Sequence, residues 1–122
     1  DKIAQLSAAR IKQFFLRGRG DKSGLVRVRR ELRELITYRQ INLLDGNWPV
    51  RGPLDAIFCR NVMIYFDKET QRAILQKFAP LLRSDGLLFV GHSENLHQSA
   101  DLFRSCQKTV YRLSEKGKAV NA

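Results

Sequence analysis

Two short, continuous apolar runs stand out along the chain, and each ends abruptly in polar residues. The first spans residues 56–59 and is followed by Arg60 and Asn61. The second spans residues 87–90 and is followed by the string Gly91-His-Ser-Glu94. Unbroken apolar runs of this length are typical of strands that are buried on both faces. We therefore predict two core strands, each with polar side chains at its carboxyl end.

An amphipathic helix separates the two predicted strands, 54–59 and 87–90. Asp67 is a good N-cap, and the helix is expected to run to about Leu82. Pro80 removes one backbone hydrogen bond, so the last turn is expected to be bent or already finished. Apolar residues recur at helical spacing: Ile74, Leu75, Phe78, Leu81 and Leu82. Strand, helix and strand form a βαβ unit, with both polar ends at the sheet edge where open α/β folds bind ligands.

The first third of the chain carries different signals. Ser7 can cap a helix that runs to Leu16, with Gly18 just past its end. Residues 25–29 alternate apolar with basic side chains, as a half-exposed strand does, and residues 35–44 contain several β-forming residues. We expect these two segments to pair as a basic antiparallel hairpin.

The last quarter of the chain is expected to close the sheet. Residues 102–106 and 109–113 indicate an antiparallel pair of strands. Because chain ends are often poorly ordered, the tail over residues 115–122 is expected to be flexible.

Composition narrows the class of protein. The 122 residues fit one domain with a modest core, and a hydrophobic content of 43% is that of a globular chain. Twenty-two basic and twelve acidic residues leave a net charge of +10, which favours an acidic partner such as nucleic acid, an anionic membrane surface or a carboxylate-rich protein. The basic residues crowd the first third of the chain.

Cysteine usage and hydropathy favour a cytoplasmic protein. Cys59 and Cys106 do not make a disulfide framework, and both are interpreted as buried, reduced, apolar residues. No run approaches the ~20 apolar residues that a membrane span needs, and we expect neither a signal segment nor membrane insertion.

Taken together, these segments resemble the C-terminal part of the CheR-type chemotaxis receptor methyltransferases, with similarity from about Leu6 to Ser114. The matching strings are Arg17-Gly-x-Gly, Gly24-Leu-Val-Arg-Val-Arg, Asn42-Leu-Leu, Phe58-Cys-Arg-Asn-Val-Met-Ile-Tyr-Phe-Asp67, Gly86-Leu-Leu-Phe-Val-Gly-His-Ser-Glu94 and Thr109-Val-Tyr111. The resemblance implies an α/β fold: a partial S-adenosylmethionine-dependent methyltransferase sheet, Rossmann-like and of class I, with an inserted small antiparallel β-subdomain.

The resemblance also implies a division of the chain. Residues 1–16 would be a helix leading into the subdomain, and residues 17–41 a basic β-subdomain that docks a peptide. Residues 42–114 would be the C-terminal half of the methyltransferase domain, and 115–122 a flexible tail. The family's N-terminal helical domain, its cofactor loop and the acidic residue that holds the ribose would lie upstream. We therefore expect this chain to need that upstream half as a partner.

The implied reaction is transfer of a methyl group from S-adenosylmethionine to glutamate side chains of methyl-accepting chemoreceptors, with S-adenosylhomocysteine as the product. By resemblance, Asn42 and Leu43 would lie beside the adenosine. Arg60 and Asn61 would line the cofactor and substrate cleft, and Tyr65 would lie near the transferring methyl group. Arg60 and Tyr65 are thus the candidate catalytic residues, and Asn42, Leu43, Arg60 and Asn61 the candidate cofactor-binding residues.

A second implied site lies in the basic subdomain. By resemblance, Arg17 and Arg27 would contact a C-terminal pentapeptide of the receptor, with Gly18 and Gly20 shaping the loop. An exposed hairpin edge offers unpaired N–H and C=O groups for strand addition, and nearby arginines favour an acidic peptide.

Plainer interpretations stay open. Arg60 with Asn61 could be a capping or surface pair, Tyr65 a core residue, Asn42 a turn residue, and the basic hairpin a solvated face. His92 lacks partners at metal-ligand spacing, so we expect a structural role for it and no metal site.

Two other functions remain as alternatives. The chain could be a receptor-peptide-binding module without activity in isolation. The charge also allows a nucleic-acid enzyme or binder, and Asn61-Val-Met-Ile-Tyr65 faintly resembles the Asn-Pro-Pro-Tyr motif of amino-methyltransferases. However, that string has an extra residue and no prolines, and the arginines lack interleaved aromatics, so we expect no nucleic-acid partner.

Overall fold

The computed structural model describes residues 2–120. Asp1, Asn121 and Ala122, which belong to the predicted leading segment and tail, lie outside the described residues. The chain divides into two compact units, Asp1–Gln40 and Ile41–Ala122.

The first unit is a helix followed by a small antiparallel sheet. Ser7 caps the helix as predicted, because its Oγ accepts a hydrogen bond from the Arg10 N–H at 3.3 Å. The sheet pairs Phe15 with Val28 and Arg17 with Val26. In chain order the elements are α1 (Ala8–Phe14), β1 (Phe15–Arg17), a 3₁₀ turn (Gly20–Lys22), β2 (Val26–Val28) and α2 (Arg30–Arg33).

The hairpin predicted between residues 25–29 and 35–44 is wrong. The second segment forms no strand, and the partner of β2 is β1, which we expected to be the last part of the first helix. The glycine loop explains the difference: Gly20 and Gly24 have φ of 60° and 84°, and such left-handed residues reverse the chain within a few positions. The nearer strand then pairs first, and residues 35–44 have β propensity without a partner.

The second unit contains a four-stranded mixed sheet. In chain order its elements are β3 (Leu54–Cys59), a 3₁₀ turn (Met63–Tyr65), α3 (Lys68–Leu81), β4 (Leu82–Val90), a 3₁₀ turn (His97–Ser99), β5 (Phe103–Gln107), β6 (Val110–Leu113) and α4 (Glu115–Ala119). The strand order is β3-β4-β6-β5. Strands β3 and β4 are parallel with helix α3 between them in the chain, whereas β4–β6 and β6–β5 are antiparallel.

The βαβ unit, the closing antiparallel pair and the mixed α/β fold are confirmed. The expectation that residues 56–59 are buried on both faces is wrong, because Ala56 and Phe58 are exposed. Within residues 2–120, β3 lies at the end of the sheet, where it is covered less than an inner strand.

Helix α3 begins and ends close to the predicted positions. The Asp67 carboxylate accepts a hydrogen bond from the Thr70 N–H at 2.8 Å, and this contact lowers the pKa of Asp67. Pro80 is accommodated within the last turn, and the chain becomes extended at Leu82, which pairs with Leu54 of β3. The buried face of the helix packs on the sheet through Ile74, Leu75, Phe78 and Ala79.

Where a flexible tail was expected, the structure has the short helix α4. The Ser114 Oγ accepts a hydrogen bond from the Gly117 N–H at 3.0 Å, which caps the helix. Gly117 is buried, and a side chain there would collide with the Leu102 carbonyl. The close approach of a glycine therefore packs this segment onto the sheet.

No helix within residues 2–120 is long and apolar enough to cross a lipid bilayer.

Candidate functional site

Two polar turns lie side by side at the carboxyl ends of β3 and β4. Cys59, the last residue of β3, is paired in register with Val90, the last residue of β4. The turn that contains Arg60 and Asn61 therefore starts beside the turn that contains Gly91 and Glu94. This is the sheet edge at which open α/β folds bind ligands.

A single buried carboxylate joins the two turns. Glu94 is only 7% exposed, and it accepts hydrogen bonds from four backbone N–H groups. Its Oε1 accepts from Val62 at 3.1 Å and from Met63 at 2.7 Å. Its Oε2 accepts from Asn61 at 3.3 Å and from Gly91 at 2.5 Å. An ionised carboxylate has about four acceptor positions, so all of them are filled by the backbone.

The backbone of the first turn is unusual at one residue. Asn61 has φ of 60°, a left-handed conformation that asparagine tolerates better than most residues with a side chain. Gly91 makes the close approach possible, because a Cβ there would lie 2.5 Å from the Asn61 Oδ1 and 2.9 Å from the Glu94 Oε2. The missing side chain at Gly91 therefore leaves the space that the left-handed Asn61 occupies.

Gln71 of α3 holds the far side of the same turn. Its Nε2 donates to the carbonyl oxygens of Met63 at 2.8 Å and Phe66 at 2.9 Å. Its Oε1 accepts from the Gln98 Nε2 at 2.8 Å. Residues 61–66 are thus held by a carboxylate on one side and by a carboxamide on the other.

The candidate catalytic side chains lie on this turn and are open to solvent. Arg60 and Asn61 are exposed, and Tyr65 is 80% exposed. Within residues 2–120, the Arg60 guanidinium has no hydrogen bond or ion pair to another side chain or carbonyl. Arg60, Asn61 and Tyr65 therefore all lie on the segment that follows β3, with side chains open to solvent.

Asn42 and Leu43 lie elsewhere in the same unit. The Asn42 Oδ1 accepts from the Leu44 N–H at 3.1 Å, and its Nδ2 donates to Asp45 at 3.1 Å, which is the pattern of a turn residue. Lys77 donates to the Leu43 carbonyl at 3.1 Å, near the end of α3 opposite to Gln71. Among the described residues, no hydrogen bond connects this segment with the turn at Arg60.

The four candidate peptide-binding residues lie in the β1–β2 hairpin of the first unit, with Arg17 and Arg27 on opposite faces of its sheet. Arg17 is the last residue of β1. Arg27 lies in β2, where it pairs with Leu16 of β1. Between the strands, the Gly18 N–H donates to the Leu25 carbonyl at 2.9 Å, and a side chain at Gly18 would collide with the Lys22 carbonyl. With Gly20 at positive φ, both glycines shape the loop.

The two cysteines differ. Cys59 is buried, as expected, and burial followed by the nearby charge of Glu94 raises the pKa of its thiol to about 11. The expectation that Cys106 is also buried is wrong: it lies exposed on β5, which pairs with β6 alone among the strands of residues 2–120. His92 is exposed, and within residues 2–120 no three His, Cys, Asp or Glu side chains form a group that could hold a metal ion.

The sequence pattern placed Glu94 only among the polar residues after the second apolar run, and its role was missed. The available signal was a lone acidic residue three positions after Gly91 at the end of a buried strand, where unpaired N–H groups need an acceptor.

The residues of the site fit one wall of a nucleoside and carboxylate site. The Arg60 guanidinium and the side-chain amide of Asn61 have no hydrogen-bond partner within residues 2–120, so both are open to such a ligand at the strand end. A carboxylate for the ribose hydroxyls must come from other residues, because the Glu94 oxygens are already occupied.

The βαβ unit and its polar edge define the α/β class of ligand-binding domains to which class I methyltransferases belong. The family described as "CheR methyltransferase, SAM binding domain" matches residues 1–112. The chain belongs to this CheR methyltransferase family.

Curated relatives are similar over nearly the whole chain. It is 53% identical to chemotaxis protein methyltransferase 2 of Pseudomonas aeruginosa over 111 residues, which cover 91% of this chain and 40% of the relative. It is 51% identical to the chemotaxis protein methyltransferase of Salmonella typhimurium over 114 residues, which cover 93% of this chain and 40% of the relative. The corresponding protein of Escherichia coli is 49% identical over 115 residues, which cover 94% and 40%. The chain thus spans about 40% of the length of these relatives.

Proposed function

We propose that the protein to which this chain belongs is a chemotaxis protein methyltransferase, which methylates glutamate side chains of methyl-accepting chemoreceptors. The observation that carries the proposal is the turn after β3: Arg60, Asn61 and Tyr65 lie together at the carboxyl end of a parallel strand, in a chain of the CheR family. The names of the curated relatives support the same activity.

The chemistry places modest demands on the protein. S-adenosylmethionine, when bound, supplies a methyl group on a positively charged sulfur. A glutamate carboxylate is ionised at neutral pH, so no residue has to act as a general base. The residues of this chain instead have to orient the carboxylate and keep water away.

The open side chains suit those tasks. We propose that Arg60 orients the substrate carboxylate, and that Tyr65 contacts it near the methyl group. Asn61 would contact the cofactor together with Arg60. Asn42 and Leu43 stay as proposed adenosine contacts, with the side chain of Asn42 already engaged in its turn.

We further propose that the first unit captures an acidic receptor peptide, such as a C-terminal pentapeptide. Strands β1 and β2 form a sheet of only two strands, so each leaves one edge without a strand partner within the described residues. Arg17 and Arg27 lie on those strands and are exposed. Strand addition at such an edge, with arginines nearby, favours an acidic peptide. We also propose that the protein acts in the cytoplasm, where it can reach the receptor tails.

Two single variants test both parts of the proposal in an enzyme of the relatives' length that contains this chain. Arg60→Ala should lower methyl transfer to receptor by about 10- to 100-fold while peptide affinity is unchanged. Arg27→Ala should weaken peptide binding, measured by calorimetry, while affinity for S-adenosylmethionine is unchanged.

Each variant serves as the control for the other. A parent protein that transfers no methyl group would contradict the proposed reaction. Equal loss of both functions in both variants would indicate misfolding rather than two sites, and unchanged peptide affinity would remove Arg27 from the peptide site.

A further inference from the structure

We propose that Glu94 is a positioning residue for methyl transfer: its carboxylate holds the turn that carries Arg60 and Asn61 in the conformation the site requires. The inference rests on the proposed function, and it assigns Glu94 no direct contact with cofactor or substrate.

Backbone hydrogen bonds occupy both carboxylate oxygens of Glu94. Its two oxygens accept from the N–H groups of Asn61, Val62, Met63 and Gly91, at distances from 2.5 to 3.3 Å. Four donors fill the acceptor capacity of one carboxylate. Glu94 therefore has no free position for a proton, a ribose hydroxyl or a substrate group, which excludes the roles of acid, base and ligand.

The Glu94 carboxylate connects the residues that follow β3 with those that follow β4. Three of the four donors are consecutive residues, Asn61 to Met63, directly after the last strand residue and Arg60. The fourth donor, Gly91, follows the neighbouring parallel strand. The carboxylate thus fixes the exit of β3 to the exit of β4, and it does so from a buried position where an unpaired N–H group would be costly.

The left-handed conformation of Asn61 influences the direction of the Arg60 side chain. A left-handed residue reverses the local course of the backbone, and even in asparagine, which tolerates it, this conformation costs free energy that surrounding contacts offset. The support comes from the hydrogen bond between the Asn61 N–H and Glu94 and from the close contact with Gly91. Because Arg60 precedes this residue, the direction of its exposed side chain depends on the same contacts.

Glu94→Gln is the informative variant. It keeps the size of the side chain, but one oxygen becomes an NH2 group that faces two N–H donors and cannot accept from either. Whichever orientation the amide takes, one pair of contacts is lost. Glu94→Asp keeps the charge and both oxygens but is shorter by one methylene, so it should restore part of the function.

Asp101→Asn is the matched control. Asp101 is also a carboxylate that anchors a loop, but it pairs with Arg72 of α3 at 2.9 Å and makes no contact with the turn at Arg60. If Glu94→Gln lowered activity only by making the fold less stable, Asp101→Asn should therefore lower activity to a similar extent.

The experiment uses the enzyme of the relatives' length, at a temperature where every variant is folded. Glu94→Gln should lower kcat/KM for receptor methylation by about 10- to 100-fold relative to Asp101→Asn, with Glu94→Asp between them. Hydrogen exchange provides a readout independent of activity: the amides of Asn61, Val62, Met63 and Gly91 should exchange faster in Glu94→Gln and at the parent rate in Asp101→Asn.

Two results would overturn the inference. One is an active parent whose Glu94→Gln variant matches Asp101→Asn in kcat/KM, and the other is unchanged exchange of the four amides in Glu94→Gln. An inactive parent, by contrast, contradicts the proposed reaction itself, so the two failures are distinguishable.

Discussion

At the scale of single residues, the two thiols of the chain have opposite environments. Cys59, the buried last residue of β3, lies beside the Glu94 carboxylate, and burial together with that charge raises its pKa to about 11. Cys106 lies exposed on β5. Since the thiolate is the reactive species, the two residues should differ sharply in reactivity.

We expect iodoacetamide at about pH 8 to modify Cys106 and leave Cys59 unmodified until the protein is unfolded. Peptide mass spectrometry after timed labelling would measure both sites in one sample. Cys106→Ser serves as the control, because the folded variant should then take up no label from this segment. Equal labelling of both cysteines in the native protein would contradict the placement of Cys59.

The sequence allowed the identity of some site residues to be predicted, but not how they are held. Arg60 and Asn61 could be predicted because a strand ends there, and the end of the apolar run shows this locally. The role of Glu94 could not, since it depends on a meeting of two turns more than 30 residues apart in the chain. The left-handed conformation of Asn61 follows from the same meeting.

At the scale of elements, local signals succeeded wherever burial and periodicity agreed. Helix α3 has both an N-cap at Asp67 and an apolar face, and its strands have unbroken apolar runs, so the βαβ unit was predicted with the correct order. In the first unit, burial and periodicity did not agree. Phe15 and Leu16 continue the helical pattern of α1, yet they form β1, because pairing with β2 across the glycine loop overrides local propensity.

Helix α3 is also attached to the segment before β5 by a charged pair whose strength depends on pH. The Arg72 guanidinium donates to both oxygens of Asp101 at 2.9 Å and to the Gln98 carbonyl at 2.6 Å. The hydrogen bonds from Arg72 hold the pKa of Asp101 well below its usual range. A lowered pKa in the folded state stabilises the protein above the unfolded-state pKa, and that contribution is lost as the pH falls.

We therefore expect Asp101→Asn to lower the urea midpoint of unfolding at pH 7, with a difference from the parent that shrinks as the pH falls below about 4. Circular dichroism of parent and variant across a pH series would measure the two midpoints. Glu115→Gln is a suitable control, because its Lys118 contact lies at the exposed surface and should contribute little. A parent–variant difference that is the same at pH 7 and at low pH would show that the pair does not stabilise the fold through its charge.

At the scale of the whole molecule, the sheet of the second unit ends in a strand that has a neighbour on one side alone within the described part of the chain. Of the described strands, only β4 pairs with β3, and β3 is the strand that leads to the candidate site. Phe58, the residue before the last of β3, is 69% exposed and stacks on Phe89 of β4 with ring centres 4.3 Å apart. An unpaired apolar edge of this kind is a known route to association between chains.

We expect the isolated 122-residue chain to associate in a concentration-dependent manner through this edge, despite its net charge of +10. Phe58→Lys should reduce association, because a lysine on an edge strand disfavours edge-to-edge pairing. Sedimentation velocity over a range of concentrations, with light scattering over time, would measure the effect. The matched control is Tyr38→Lys, which adds the same charge at an aromatic residue that is 84% exposed but lies outside any strand.

The comparison of the two lysine variants separates the strand edge from general hydrophobic exposure. If the edge causes association, Phe58→Lys should keep the chain monomeric at concentrations where Tyr38→Lys still associates. Equal effects would mean that added net charge alone reduces association, since both substitutions add one positive charge. A parent chain that stays monomeric and unfolds cooperatively would contradict the expectation, and it would mean that the βαβ unit of this family is stable with β3 as a free edge.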